Sequence, residues 1–178
     1  MTRRPVFLTA AAVAALTACT FACAGALQGD TSRSLCFGLV AERSGIPERL
    51  LRAVAKIESN NVAGAIHQDT DGTHDVGIMQ INSSHFPELE SRYHITEQIL
   101  LERPCVNIAV GARILSGFLN KYGSTWRAVG SYGAGTALSK EAARRQYATL
   151  VARALTKGWH ANQVAEAAPV ERHMVVLE

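Results

Sequence analysis

The feature that most constrains the fold is a stretch of apolar residues at helical spacing that ends in an acid and a turn. Residues 50–58 read LLRAVAKIE. In a helix, Leu51, Val54 and Glu58 lie on one face, at positions i, i+3 and i+7. The residues that follow, SNN at 59–61, are a turn signal. The stretch therefore predicts a helix that packs against a core and carries Glu58 at its C-terminal end.

The position of Glu58 makes it a candidate general acid. A carboxyl group in line with an apolar stripe is partly removed from water, which disfavours its ionised form. The C-terminus of a helix carries partial negative charge, which also disfavours a second negative charge. Both effects raise the pKa, as a general acid that works near neutral pH requires. The alternative is a glutamate that extends into solvent, as most acids at a helix end do.

Motifs along most of the chain carry a family resemblance. They are CF at 36–37, GIPERLL at 45–51, ES at 58–59, GIMQIN at 77–82, INSSHFP at 81–87, PCVNIAVGARIL at 104–115 and WRAVGSYGAG at 126–135. Together, over about residues 34–155, they resemble the soluble lytic transglycosylase domain, a relative of goose-type lysozyme. The likeness is greatest to the small specialised transglycosylases of secretion, pilus and conjugation machines. One short motif alone is weak, but this series in the right order is specific.

The resemblance implies a fold and a set of site residues. The fold is mainly helical and lysozyme-like (α+β lysozyme superfamily), with at most a small β element beside the cleft, and the catalytic domain covers residues 34–158. Glu58 is the implied catalytic acid. The residues implied to contact substrate are Ser59, Gly77, Met79, Gln80, Asn82, Tyr132 and Tyr147. No metal and no organic cofactor are expected.

Residues 75–82 alternate between apolar and polar positions, which predicts a short strand or an extended wall of the cleft. Gly77 is expected to let the backbone approach the substrate or Glu58 closely, or else to be an ordinary turn glycine. The amides of Gln80 and Asn82 can hydrogen-bond sugar hydroxyls or acetamido groups.

The chain departs from the family in the motif around Tyr132. Where the family has Tyr-Asn-Ala-Gly, this chain has Tyr132-Gly133-Ala134-Gly135. The tyrosine is kept, and its hydroxyl is expected near Glu58. The amide side chain is lost, which puts one polar contact of the cleft in doubt.

The resemblance also implies a reaction. It is cleavage of the β-1,4 bond between N-acetylmuramic acid and N-acetylglucosamine in peptidoglycan, with formation of 1,6-anhydro ends. Glu58 acts first as acid and then as base, and the acetamido group of the substrate replaces a second carboxylate. Two alternatives stay open: a lysozyme-type hydrolase, in which water attacks, and a peptidoglycan-binding assembly factor that does not cut. The expected partners are peptidoglycan glycan strands and components of a secretion, pilus or conjugation machine.

Residues 60–75 are predicted to form a polar, solvated loop. Its titratable residues are His67, Asp69, Asp71, His74 and Asp75. A metal site is one alternative, although the glycine follows Asp69 too early for an EF-hand calcium loop. A second catalytic carboxylate is another alternative, because most glycosidases use two.

The N-terminus predicts export to the periplasm of a Gram-negative bacterium. A basic start at Arg3 and Arg4 and an apolar run over residues 6–18 are typical of a signal peptide, predicted here over residues 1–24. Cleavage at an A-x-A site leaves two cysteines that can pair, Cys36 and Cys105. The alternative is a lipoprotein anchored at Cys19, which would leave Cys23 without a partner.

Removal of the two N-terminal arginines also changes the charge. The chain has 18 basic and 15 acidic residues, so 16 basic and 15 acidic residues remain after cleavage. With no basic stripe in addition, the sequence does not indicate a nucleic-acid partner.

Four further helices are predicted. They cover residues 34–43, 105–122, 126–132 and 139–156, and residues 161–178 are expected to form a flexible tail. The apolar face of the second is expected to comprise Ile108, Ala112, Leu115, Phe118, Leu119 and Tyr122. Ser139 is the expected N-cap of the last. The buried face of that helix is expected to comprise Ala143, Tyr147, Leu150, Val151 and Ala154, with Tyr147 also serving as an apolar platform for a sugar ring.

Overall fold

The computed structural model describes residue 33 and residues 35–157, and the fold below is that of the unit that begins at Cys36. The predictions of a signal peptide, of cleavage or lipidation near Cys19, and of a tail over residues 161–178 concern residues outside this range.

Helices form most of the described chain. They are α1 (35–44), α2 (Glu48–Ser59), α3 (Phe86–Tyr93), α4 (Glu97–Glu102), α5 (Pro104–Tyr122), α6 (Trp126–Ala134) and α7 (Glu141–Lys157). Three short strands, β1 (Ile66–Gln68), β2 (His74–Val76) and β3 (Ile81–Asn82), form one antiparallel sheet in the order β1-β2-β3. The prediction of a mainly helical fold with a small β element is confirmed.

Helix α2 lies in the core, as its apolar stripe predicts. Leu51 and Val54 have no exposed surface. The helix ends because Asn60 adopts the left-handed conformation, with φ of 55°, and its N–H donates to the Lys56 carbonyl at 3.1 Å. This is a common way to end a helix. It places Glu58 in the last turn of α2, where helix α7 packs against this helix.

The segment between α2 and α3 differs from the predicted loop and strand. In place of the predicted loop, residues 66–76 form the hairpin β1–β2, in which Ile66 pairs with Val76 and Gln68 with His74. Residues 75–82 are not one strand, because a turn over 77–80 separates β2 from β3. Gly77 and Gln80 both have positive φ in that turn, 80° and 47°. The strands are too short for alternation to be seen, and every residue of β1 is exposed.

Two predictions about helix faces need correction. In α5, Ile108, Ala112 and Leu115 are buried, but the other predicted residues, from Phe118 onward, are only half-buried. Asn107, Val110 and Gly111 instead complete the buried set of α5. The second half of α5 therefore extends past the core.

In the last helix, Ser139 lies within a 3₁₀ turn (Leu138–Lys140) and does not cap α7, which begins at Glu141. Ala143 and Leu150 are exposed, whereas Arg144, Ala148 and Val151 are buried. Helix α7 packs against α6 and α2, and its buried face shares Val151 with the face that the sequence predicted.

A disulfide joins Cys36 of α1 to Cys105 in the first turn of α5, with the two Cα atoms 5.2 Å apart. It is the pair that the cysteine count predicted. No helix within the described residues is long and apolar enough to span a bilayer.

Candidate active site

The side chain that contacts the Glu58 carboxyl comes from α7. The hydroxyl of Tyr147 donates a hydrogen bond to Glu58 Oε1, across 89 positions of sequence. Both residues are partly exposed, so solvent and ligands have access to the pair. The role of Tyr147 as an apolar platform for a sugar ring stays a prediction, whereas the structure shows that its hydroxyl binds the candidate acid.

The surroundings of Glu58 raise its pKa to about 7. Burial of the carboxyl is the largest cause, because it disfavours the charged form. The hydrogen bond from Tyr147 acts in the opposite direction, and the negative charge of Asp75 on β2 raises the pKa further. Close to neutral pH the carboxyl can therefore hold a proton and release it, which is what the sequence analysis expected of Glu58.

The turn over residues 77–80 lies beside Glu58 and is held by side chains from three helices, α2, α5 and α6. Ser59, the residue after Glu58, donates from Oγ to the Ile78 carbonyl at 2.8 Å. The Tyr132 hydroxyl of α6 donates to the Met79 carbonyl at 2.8 Å. Tyr132 was expected near Glu58. It is near enough for the charge of Glu58 to raise its pKa, after the larger effect of burial, but its hydrogen bond goes to the turn.

Asn107 belongs to this region although its sequence pattern does not predict a place there. It is fully buried in α5, its Nδ2 donates to the Val76 carbonyl at 2.9 Å, and its Oδ1 accepts from the Met79 N–H at 2.8 Å. One amide thus satisfies two main-chain groups, one just before the turn and one within it. The available signal was a polar residue within the apolar motif PCVNIAVGARIL.

The structure shows a close approach of Gly77 to Asn107, and the prediction that Gly77 lets the backbone approach substrate stays a prediction. A Cβ added at Gly77 would lie 2.6 Å from Cγ of Asn107, inside any normal contact distance. The positive φ of Gly77 also favours glycine. Gly77 therefore serves the packing of the turn against α5.

The prediction that Met79 contacts substrate is not supported for its side chain. Met79 has no exposed surface and packs against Gly111, where an added Cβ would lie 2.7 Å from Met79 Cβ. Only its main chain takes part in the site, through the carbonyl bound by Tyr132.

The amides of Gln80 and Asn82, predicted to bind sugar, hold the hairpin together. Gln80 Nε2 donates to the Gly77 carbonyl at 2.8 Å and to the Ala65 carbonyl at 3.2 Å. Asn82 Nδ2 donates to Asp75 Oδ1 at 2.9 Å and also contacts Thr73 Oγ1 and Asp69 Oδ2. These amide nitrogens are therefore occupied within the protein.

The acids of the hairpin are engaged in the same network. Asp69 Oδ2 also accepts from Thr73 Oγ1 at 3.0 Å, and burial is the main cause that raises the pKa of Asp75. Over the range that the structure describes, no group of three or more His, Cys, Asp or Glu side chains is arranged to hold a metal ion.

The fold and the site together define the class of protein. A largely helical domain with a small sheet, and a glutamic acid at a helix end with a pKa near neutrality, are the features of a lysozyme-like glycan-cleaving enzyme. In agreement, the fold is similar to that of an inactive mutant of lytic transglycosylase Slt from Pseudomonas aeruginosa, with a TM-score of 0.54 and 20% identity. The match covers 68% of this chain and 23% of that one, so the chain spans about a quarter of the solved protein.

Sequence comparison identifies the family. The family model "Transglycosylase SLT domain" matches residues 36–153. Invasion protein IagB of Salmonella typhimurium (strain SL1344) is 40% identical over 119 residues, which are 67% of this chain and 74% of that protein. Protein IpgF of Shigella flexneri is 38% identical over 116 residues, 65% of this chain and 76% of that protein. The chain belongs to the transglycosylase SLT domain family, and its enzyme class is the peptidoglycan lytic transglycosylase.

Proposed function

We propose that this enzyme cleaves the β-1,4 bond between N-acetylmuramic acid and N-acetylglucosamine with Glu58 as its one catalytic carboxyl, and that it leaves 1,6-anhydro-muramic ends. The observation that carries the proposal is the Glu58 carboxyl itself. It is partly exposed, it contacts the Tyr147 hydroxyl, and its pKa of about 7 suits both donation and acceptance of a proton.

In the first step, protonated Glu58 donates its proton to the glycosidic oxygen, and the bond from C1 of the muramic acid to that oxygen breaks. The acetamido group of the same sugar stabilises the cationic carbon, so no second carboxylate has to form a covalent bond. Tyr147 then supports the carboxylate that the proton leaves behind, because its hydroxyl donates to the charged form.

In the second step, ionised Glu58 accepts the proton of the C6 hydroxyl of the muramic acid. The C6 oxygen bonds to C1 and closes the anhydro ring, and Glu58 is again protonated for the next cycle. One residue serves as acid and base at two times, which requires a pKa near the working pH. No metal or organic cofactor enters these steps.

The residues beside Glu58 suggest how the glycan is positioned. Ser59 and the turn over 77–80 lie next to Glu58 on one side, and Tyr132 and Tyr147 approach from α6 and α7. We assign these tyrosine rings and the backbone of the turn to the wall that faces the sugar, within a catalytic domain over residues 34–158.

Hydrolysis is the second candidate, and the observation that favours it is Asp75. Its negative charge lies near enough to Glu58 to raise the pKa of that carboxyl. Most glycosidases use a pair of carboxyl groups for catalysis. Asp75 is, however, bound by the Asn82 amide at 2.9 Å within the hairpin, and this favours a structural carboxylate. A pKa near neutrality suits an acid for proton transfer, and a non-catalytic binding protein does not transfer protons.

The proposed setting is the periplasm, where the enzyme would open the cell wall locally for a secretion, pilus or conjugation machine. The support is the family's substrate, a signal peptide expected over residues 1–24, and a relative whose name is invasion protein. Lipid anchorage at Cys19 is the alternative form of export, and N-terminal sequencing of the exported protein separates the two.

The test is the mass of the products. Purified mature protein is incubated with peptidoglycan, and the released muropeptides are analysed by mass spectrometry, in which an anhydro product is one water lighter than a hydrolytic one. Glu58→Gln should lower the rate by at least ~10² to 10⁴-fold. Glu90→Gln, at an exposed position of α3, is the matched control and should leave the rate unchanged. Hydrated reducing ends alone would establish the hydrolase, and an active E58Q would refute the proposal.

A further inference from the structure

Helices α6 and α7 pack closely at two glycines of α6. A Cβ added at Gly130 would lie 2.8 Å from the carbonyl carbon of Arg144, so the backbone of α7 lies directly on this glycine. A Cβ added at Gly133 would lie 2.8 Å from Cγ of the Tyr147 ring and closer still to Cδ2 and Cε2. Real Cβ atoms essentially never approach another atom within 3.0 Å. Any side chain at Gly133 would therefore displace the ring.

The backbone of α7 is held in place, so the ring is the part that would have to move. Arg144 is 1% exposed, and its Nη1 donates to the carbonyls of Gly135 and Ala137, both at 2.9 Å. Its guanidinium also binds Glu141 on α7. These bonds attach the first turns of α7 to the end of α6, one helical turn before Tyr147.

We propose that Gly133 is a positioning residue for the catalytic acid: because it has no side chain, the Tyr147 ring lies over α6 at the place from which its hydroxyl reaches Glu58. The family motif has asparagine at this position, and the sequence suggested that glycine removes a polar contact. In the structure the Tyr147 ring fills the space that a side chain at position 133 would occupy, so the glycine makes room for the ring. This inference rests on the proposed role of Glu58.

The electrostatic consequence follows from the groups that face Glu58. They are Asp75 from β2, Tyr132 from α6 and Tyr147 from α7. Among the groups that the described part of the chain brings to Glu58, only the Tyr147 hydroxyl stabilises the charged carboxylate, whereas burial and the charge of Asp75 favour the protonated form. Displacement of the ring leaves those two effects unopposed, so the pKa of Glu58 should rise above about 7.

The experiment compares Gly133→Ala with four other variants. Gly117→Ala makes the same change within α5, where an added Cβ meets nothing within 4 Å. Tyr147→Phe removes only the hydroxyl. Tyr147→Ala removes the ring that the new methyl group would meet, and it is made alone and in combination with G133A. For each, kcat, KM and the pH profile of the rate are measured on glycan strands, and the Glu58 carboxyl is titrated by carbon-13 NMR.

The expected result is that G133A and Y147F both lower kcat by about 10- to 100-fold, the effect of one lost hydrogen bond to a charged group. Both should move the titration of Glu58 to higher pH with little change in KM, and G117A should do neither. In the Y147A background G133A should change the rate by less than about twofold, because the two substitutions act through one contact.

Three results would overturn the inference. One is a G133A enzyme with unchanged kcat and an unchanged Glu58 titration. Another is an equal loss from G133A in the Y147A background. If G133A does not fold, the double variant of G133A and Y147A decides. Recovery of folding in the double variant would show that the Tyr147 ring fills the space beside Gly133. A double variant that also fails to fold would show that another group fills that space, and this is the third result. The NMR titration does not depend on activity, so it separates this inference from the proposed function, which Glu58→Gln tests.

Discussion

Replacement of Glu58 by glutamine should stabilise the protein at neutral and alkaline pH while it abolishes activity. The carboxyl has a pKa of about 7 in the folded protein against an ordinary value of 4.5. At 1.36 kcal/mol per unit, that gap corresponds to ~3 kcal/mol of free energy of unfolding. The group is mostly removed from solvent, so screening by water reduces this value only modestly.

The sign follows from which state holds the proton. Below pH 4.5 the carboxyl is protonated in both the folded and the unfolded state, so its burial does not lower the free energy of unfolding through a charge. As the pH rises from 4.5 to about 7 the unfolded chain loses its proton first, so the folded state becomes less stable relative to it. Above pH 7 the folded protein carries the buried charge and the full cost. Glutamine has no proton to lose, so the advantage of E58Q should grow from about zero at pH 4 to ~3 kcal/mol at pH 8.

The assay is urea unfolding of the wild type and E58Q, with the disulfide intact, at intervals from pH 4 to pH 8. Titrations of groups that do not interact with Glu58 cancel in the difference between the two free energies of unfolding. Glu90→Gln, which removes an exposed carboxyl, provides the background curve. A difference for E58Q that is flat over this range, or that falls as the pH rises, would refute the burial of Glu58 as the cause of its raised pKa.

Three further predictions concern the surroundings of Glu58 and the stability of the fold. Asp75→Asn should lower the pKa of Glu58, because it removes a negative charge, and the variant should keep most of its activity. The pH profile of the rate reports the shift of the pKa. Complete loss of activity in a folded variant would instead favour a second catalytic carboxylate. Asn107→Leu should reduce the free energy of unfolding by roughly 2–5 kcal/mol, since two buried main-chain groups lose their partner; urea unfolding measures it, and a neutral substitution would contradict the assigned hydrogen bonds. Reduction of the disulfide between Cys36 and Cys105, which are 69 positions apart, should cost about 4 kcal/mol, and thiol titration of the unfolded, unreduced mature protein should find no free thiol; two free thiols would refute the pairing.

The sequence alone determined the features that arise within a few turns of chain. The apolar stripe, the turn signal after Ser59 and the position of Glu58 at the end of α2 could all be predicted, because helix periodicity and helix ends depend on neighbouring residues. The motifs in their order were enough for the family, and hence for the class of fold. The cysteine count was enough for the disulfide, because only Cys36 and Cys105 remain after the expected cleavage.

Only the tertiary structure decided which side chains act together. The hydroxyl of Tyr147 meets Glu58 across 89 positions, and nothing near either residue in sequence indicates the pair. Asn107 and Arg144 are polar residues that local pattern assigns to the surface, yet both are buried because distant main-chain groups supply their partners. Gly133 could be recognised as a departure from the family motif, but only the packing of α7 on α6 brings the Tyr147 ring into the space of the missing side chain. Side-chain partners at long range depend on how helices pack, and that information is not local to any segment of the chain.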